Sequence, residues 1–429
     1  MRFPGGGLWR DPDFLKLWAG ETVSDFGDQI TLLALPLTAI ITLHATATEM
    51  GFLLAAATAP TFLFSLVAGV WVDRLPRRAL LIAADVGRAA LLATIPVAFV
   101  LGKLSMAQLY AVGFAVGTLS VVFIVAYQAY LPSLVGRARL VEANGKMNAS
   151  SSVAQFAGPG VAGFLVQIFT APMPVVLDAL SFLASLTGIG LIRRHETRAQ
   201  ARRRDMRAEI AEGLRTLLGH PVLRTLVLCG AVLIFLLSAQ VAIWVLYLTR
   251  DVGLEPALIG FLFAAFSVGT LLGALVAAEA SRRLGIGPSF IWAAAIVAAG
   301  LLARALATGS REVTYVTIVI AMFAAGIGAS LFNVNGPSLR QALTPTELLG
   351  RVNASYRFLV WGTQPIGALL GGALAEAVGL RSALIVTGVA MLVVPVIALV
   401  SPLRRMREVI AVEQPQSQPE PKAAPLASS

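Results

Sequence analysis

The chain has 429 residues, 57% of them hydrophobic and 13% charged, with a mean hydropathy of +0.80. So little charge cannot coat a soluble domain of this size, which excludes a soluble fold. The formal charge of +10 would suit a nucleic acid, but the basic residues alternate from side to side along the chain instead of forming one patch, which excludes that partner.

The apolar residues come in continuous blocks of roughly 20 or more, the length needed to cross about 30 Å of hydrocarbon as a helix. The predicted spans are 16–42, 50–72, 79–101, 106–131, 147–169, 173–192, 222–248, 257–281, 286–308, 313–339, 350–377 and 381–402. The first follows Arg2, Arg10, Asp11 and Asp13 with no small-residue cleavage site after a short apolar core, so it reads as a spanning helix rather than a signal peptide. Of the Lys and Arg residues, 27 fall in one set of loops and 4 in the other, with Arg88 and Arg304 inside spans. The positive-inside rule then puts both termini in the cytoplasm.

In chain order, the first span carries Glu21, Asp25 and Asp28, spaced four and three on one helix face. Carboxyls are costly in lipid, so this face is a candidate lining of a central cavity, able to take up protons or to attract cationic groups. Asp25 and Asp28 are the stronger candidates, since Glu21 falls near the interface. Gly69, Asp73, Arg74, Arg77 and Arg78 form a short charged turn between two spans. Gly69 allows close helix approach, Asp73 can meet a helix N-terminus or an Arg, and the arginines anchor the turn. Asp85 and Arg88, three apart and directly after this turn, can pair and read as part of it. Gly158, Pro159 and Gly163 on the fifth span make a bend and a tight contact.

Asp178, Arg304 and Glu376 are predicted to snorkel towards the interfaces, with Asp178 and Arg304 also candidates for cavity roles. Gln155, Gln364, Asn333, Asn335 and Tyr127 can bind substrate or join helices. Cys229 is the one cysteine, and its reading is a small buried hydrophobe. The segment from Arg193 to Arg224 is the longest polar stretch between spans, either a charged linker or a short amphipathic helix at the membrane surface. The Pro/Gln-rich tail from Glu413 is predicted to be disordered. A shift of 209 positions superposes Asn144 on Asn353, Gln155 on Gln364, Gly158 on Gly367 and Gly163 on Gly372, as a duplicated bundle would.

The 69–78 turn, read as G-x-x-x-D-R-x-x-R-R, resembles the cytoplasmic loop signature of the major facilitator superfamily of secondary transporters. Gly158-Pro159-Gly160-Val161-Ala162-Gly163 is similar to the motif of its exporting branch, with Ala-Gly in place of the closing Gly-Gly. Phe14 to Gly20 followed by Ser24-Asp25-Phe26-Gly27-Asp28 resembles the opening of its enterobactin-exporter and macrolide-efflux-like group. The resemblance implies that the 69–78 loop, with Asp85 and Arg88, gates the cytoplasmic side, and that the fifth-span motif bends. The superfamily's fourth-span arginine is missing, since Gln108–Leu131 holds no Arg. The second-half counterpart of the loop (Gly273, Glu279, Arg282, Arg283) is degenerate.

No phosphate-binding loop, zinc-binding helix or nucleophile elbow occurs in the sequence, so no cofactor, metal or enzymatic activity is expected. The expected fold is an all-α polytopic membrane protein of twelve transmembrane helices in two pseudo-symmetric six-helix bundles. Residues 1–192 and 222–402 form the bundles, 193–221 a basic cytoplasmic linker and 403–429 a disordered tail. The expected function is export of a small amphipathic compound (drug, macrolide or siderophore) by proton antiport and alternating access, by a monomer in the lipid bilayer. The alternatives are uptake of a nutrient or lipid on the same fold, or a non-transporting sensor or scaffold.

Overall fold

The first span begins at a capped turn. The Asp11 carboxylate accepts from the amides of Asp13 and Phe14 (3.2 and 3.4 Å), and Pro12 fills the first helical position, where a missing N–H costs nothing. The computed structural model describes residues 7–194 and 206–407; the side chains of 65–74, 137 and 206–210 fall outside the described set, as does most of the predicted tail.

In the first half the helices are α1 (Pro12–Leu37), α2 (Ala47–Arg74), α3 (Arg77–Val100), α4 (Met106–Val135), α5 (Leu140–Ile168) and α6 (Val175–Gly190). After α7 (Met206–Gly219) the second half follows with α8 (Pro221–Arg250), α9 (Pro256–Leu284), α10 (Ile286–Leu306) and α11 (Arg311–Ala342). It ends with α12 (Leu349–Trp361), α13 (Gln364–Val378), α14 (Leu380–Met391) and α15 (Val393–Val400). Among the described residues, nine helical stretches are long and apolar enough to span, counting α12–α13 and α14–α15 as one each. Helices α1 and α5 are long but polar, and α6 has 16 residues. Helix α1 packs on α5 and on α6, and α6 on α3, completing two groups of six in an all-α fold.

Several helices outrun the predicted spans because hydropathy sees only the stretch in hydrocarbon. Helix α1 starts at Pro12 rather than at 16, and α5 at Leu140 rather than at 147. The last two spans are each broken by a proline. Pro365 and Pro395 have no amide hydrogen to give Trp361 and Met391, and α12 and α14 end at those two residues.

The linker helix α7 does not lie free at the surface. Glu212 pairs with Arg351 of α12, Gly213 lies against the Arg351 carbonyl and Ser355, and Leu217 is buried. Here the end of the molecule where α6 leaves and α8 begins is termed the linker end, and its opposite the far end. At the far end one hydrophobic cluster runs through both groups, including Leu37, Met50, Val166, Ile243, Ile259 and Leu384. Towards the linker end it divides in two, one around Leu81, Tyr130 and Ile189 and the other around Leu226, Phe290 and Leu339.

Candidate functional site

Two close helix crossings hold the far end shut. A Cβ on Gly163 would run into the carbonyl of Pro256 and lie 3.0 Å from Gly260 Cα; one on Gly372 would meet the Ala47 carbonyl at 2.5 Å and Gly51 Cα at 3.0 Å. Only glycine permits such approach. Every member of the first crossing is 209 positions from its counterpart in the second: Gly163 and Gly372, Gly260 and Gly51, Pro256 and Ala47. Pro159, whose carbonyl lies against Gly260, corresponds in the same way to Ala368, whose carbonyl lies against Gly51. The 209-residue repeat is therefore a pseudo-twofold relation between α5–α9 and α13–α2. Hydrogen bonds from Arg250 to the Ala45 carbonyl (2.8 Å) and from Gln167 to Glu255 (3.1 Å) add to the closure, with Ser267 bonding to the Gln155 carbonyl (2.9 Å) nearer the middle.

Behind this closure, the first group holds a cluster of carboxyls. Glu21, Asp25 and Asp28 come from α1, Asp85 and Arg88 from α3, and Asp178 from α6. Asp28 is exposed, on the acidic face expected to line a central cavity, and Asp178, Arg88, Asp25 and Glu21 all lie within its electrostatic reach. Asp178 is buried, bonded by the Ser181 hydroxyl (3.1 Å) and seated against Gly27. Neither Asp25 nor Asp28 forms an ion pair among the described residues; Asp25 bonds to Ser151 of α5. The Ser185 hydroxyl lies 2.8 Å from Glu21 Oε1 and 2.8 Å from Asp85 Oδ2, and Asp85 is paired with Arg88. The Arg88 guanidinium is sandwiched between the Phe123 and Phe182 rings, 4.3 and 4.1 Å from their centroids. Tyr127 of α4 points a buried hydroxyl with no partner into the region of Glu21 and Asp25.

This geometry corrects several expectations. Asp85 and Arg88 are not part of the 69–78 turn; both are buried within the bundle, about 12 Å or more along α3 from its start. Glu21 is held inside the bundle, more than two turns into α1, half-buried and bonded to Ser185 of α6. Asp178 and Arg304 do not snorkel; they are 1% and 3% exposed. In the turn itself, the side chains of Gly69, Asp73 and Arg74 lie outside the described residues. Arg77 donates to the Ala129 carbonyl (3.0 Å) and Arg78 to those of Ile189 and Gly190, tying α3 to α4 and α6 at the linker end. Gly158 lies against Gln29 of α1, Gln155 is exposed and bonds to Ser151 (3.3 Å), and Gln364 is half-buried at the start of α13.

Sequence reasoning missed Ser181 and Ser185. With Asp178 they are spaced three and four, the pattern that marked Glu21, Asp25 and Asp28 as one face. In the second group it missed Gln240 and Trp244, which surround Arg304.

The family model described as transmembrane secretion effector matches residues 8–427. The multidrug efflux pump Tap of Mycolicibacterium fortuitum is 28% identical over 418 residues, covering 95% of this chain and 99% of that one. The macrolide efflux protein A of Streptococcus pyogenes is 22% identical over 406 residues, covering 92% and 97%. Among solved structures, a bacterial homologue of the iron transporter ferroportin in its inward-facing state superposes with a TM-score of 0.75 at 19% identity, covering 92% of this chain and 99% of that one. The outward-facing state of such a homologue gives 0.60 at 20% identity, covering 90% and 98%. The chain belongs to the transmembrane secretion effector family, a group of major facilitator transporters of the efflux-like branch.

Proposed function

We propose that the protein exports a small amphipathic compound of the drug, macrolide or siderophore class from the bacterial cytoplasm, by proton antiport through alternating access. Efflux-pump relatives along almost the whole chain support the direction and the substrate class. The basic residues at the linker end support a cytoplasmic location for that end and for both termini. With the far end closed, the described arrangement then opens inward, in keeping with the better superposition on the inward-facing neighbour. Residues 1–192 and 222–402 act as the two rocking bodies, and one chain holds the whole site, so a monomer suffices. Arg77 and Arg78, with Asp73 and Arg74, gate the cytoplasmic side.

One observation carries the proton reading. A serine hydroxyl has a single proton to donate, yet Ser185 Oγ stands at hydrogen-bond distance from two carboxyl oxygens, Glu21 Oε1 and Asp85 Oδ2. Two ionised carboxylates would have to share that proton, and a protonated carboxyl that donates to Ser185 satisfies both contacts better. Asp85 holds Arg88 and stays ionised. On this reading the proton sits on Glu21, which donates to Ser185, which donates to Asp85. Five carboxyls share one guanidinium here, so their protonation is coupled, and a cationic substrate at the cavity-facing Asp28 competes with protons for the same excess of negative charge.

Everted membrane vesicles test this reading. A fluorescent lipophilic dye or a macrolide should accumulate on imposing an inside-acid pH gradient and leave on adding a protonophore. Asp28→Asn and Glu21→Gln should each abolish gradient-driven accumulation while leaving the protein folded. Full activity of both variants would remove the carboxyl cluster from coupling, and accumulation in the opposite direction would establish uptake.

A further inference from the structure

The second bundle buries a cation that no group among the described residues neutralises. Arg304 of α10 is 3% exposed, and its partners among the described residues are neutral: Gln240 Oε1 of α8 accepts from Nη2 (2.7 Å), Met322 Sδ of α11 from Nη1 (3.2 Å), and the Trp244 ring lies under the guanidinium, 3.9 Å from Cζ. No charged group among the described residues acts on it. The neighbouring elements bring no carboxylate. Helix α11 is uncharged between Glu312 and Arg340, α14 offers Arg381, which is bonded to the carbonyl of Ala305 (3.3 Å), and Asp251, beyond the end of α8, has Arg250 and Arg381 as its charged neighbours. An isolated charge in such a place carries a desolvation penalty of several kcal/mol.

The same spot holds three buried N–H groups without an acceptor: Arg304 Nε, Gln240 Nε2 and Trp244 Nε1. They are close together. Gln240 Nε2 shares a carbon with the oxygen that binds Arg304, Trp244 follows Gln240 by one helical turn, and its ring is stacked on the guanidinium. Gln240 is 0% and Trp244 2% exposed, so bulk water does not serve them. Buried donors are satisfied in folded proteins, and a cluster of unsatisfied donors around an unpaired cation is the electrostatic complement of an anion.

We infer that Arg304, Gln240 and Trp244 bind a small monovalent anion of the halide class, chloride in the cell. One negative charge balances the one positive charge, and a halide accepts from several N–H groups at once. The anion lies between α8 and α10, towards the far end, apart from the carboxyl cluster of the first bundle. It completes the second bundle as a neutral, fixed body.

The full-length protein in detergent tests this by titration with sodium bromide against sodium gluconate at constant ionic strength. Bromide quenches indole fluorescence on contact. The expected result is a saturable component of quenching that chloride competes away and that disappears in Trp244→Phe. Gln240→Leu should move its midpoint to about tenfold higher bromide, the loss of one charge-assisted hydrogen bond. Linear quenching that is the same in the wild type and in Trp244→Phe would overturn the inference. Should the variants fail to fold, wild-type crystals grown in bromide decide. An anomalous peak beside Arg304 supports the site, and an ordered water only, or nothing, overturns it.

Discussion

Each bundle buries one arginine on its third helix, and the two charges are handled in opposite ways. Arg88 of α3 has Asp85 as a partner and sits among five carboxyls, between two aromatic rings. Arg304 of α10 has an amide, a thioether and an indole, and no acid. A paired arginine surrounded by excess carboxyls leaves the first bundle with groups whose charge can change. An arginine among neutral donors leaves the second bundle with a charge that cannot. On the proposed mechanism the division is functional: one half titrates, and the other gives it a fixed partner to close against.

Asp85→Asn breaks this contrast most severely. It leaves Arg88 buried and unpaired, at a cost of roughly 3–5 kcal/mol, read as an earlier onset of labelling of buried Cys229, the chain's one thiol, on heating. The double variant Asp85→Asn/Arg88→Met should recover most of that loss, because it removes the orphaned charge with its partner. Gly163→Val should cost the far-end-closed arrangement roughly 1–3 kcal/mol through overpacking on Pro256 and Gly260. Gly372→Val should do the same through the repeat, and a cysteine in place of Thr170 should then react faster with an impermeant thiol reagent. In halide-free buffer Arg304→Met should leave stability unchanged or raise it, since it removes an isolated buried charge and orphans no carboxylate. A loss as large as that of Asp85→Asn would erase the contrast between the bundles. The smallest loss is that of Glu212→Ala, which removes a half-exposed pair with Arg351 and should cost roughly 0–1 kcal/mol by the same assay.

Much of the fold was legible in the sequence because lipid imposes a length and an apolarity on every span, and the predicted spans meet α1 to α6 and α8 to α15 within a few residues at most ends. The repeat was legible through Gly163 and Gly372, but the partners Gly260 and Gly51 were not. Which helix faces which glycine is a tertiary fact, and the shift of 209 gives only the symmetry. The acidic face of α1 was visible from its spacing. The bond of Glu21 to Ser185 was not, because which side chain of α6 faces α1 is a tertiary fact. Asp85 and Arg88 were read with the neighbouring turn, since proximity in sequence says nothing about which way a side chain points around a helix. Gln240 and Trp244 gave no signal at all. Each is ordinary in an apolar helix, and only their meeting with Arg304 makes a site.

The two glycine crossings at the far end have a mechanical consequence. Two points of contact on opposite sides of a pseudo-twofold axis define a line, and rotation about a line is a single degree of freedom. Swinging one bundle about the line through Gly163–Gly260 and Gly51–Gly372 narrows the linker end while both contacts stay in register. The protein thus possesses a hinge pin made of backbone. On the proposed mechanism an occluded form, shut at both ends, is reached along that rotation without first unzipping the far end.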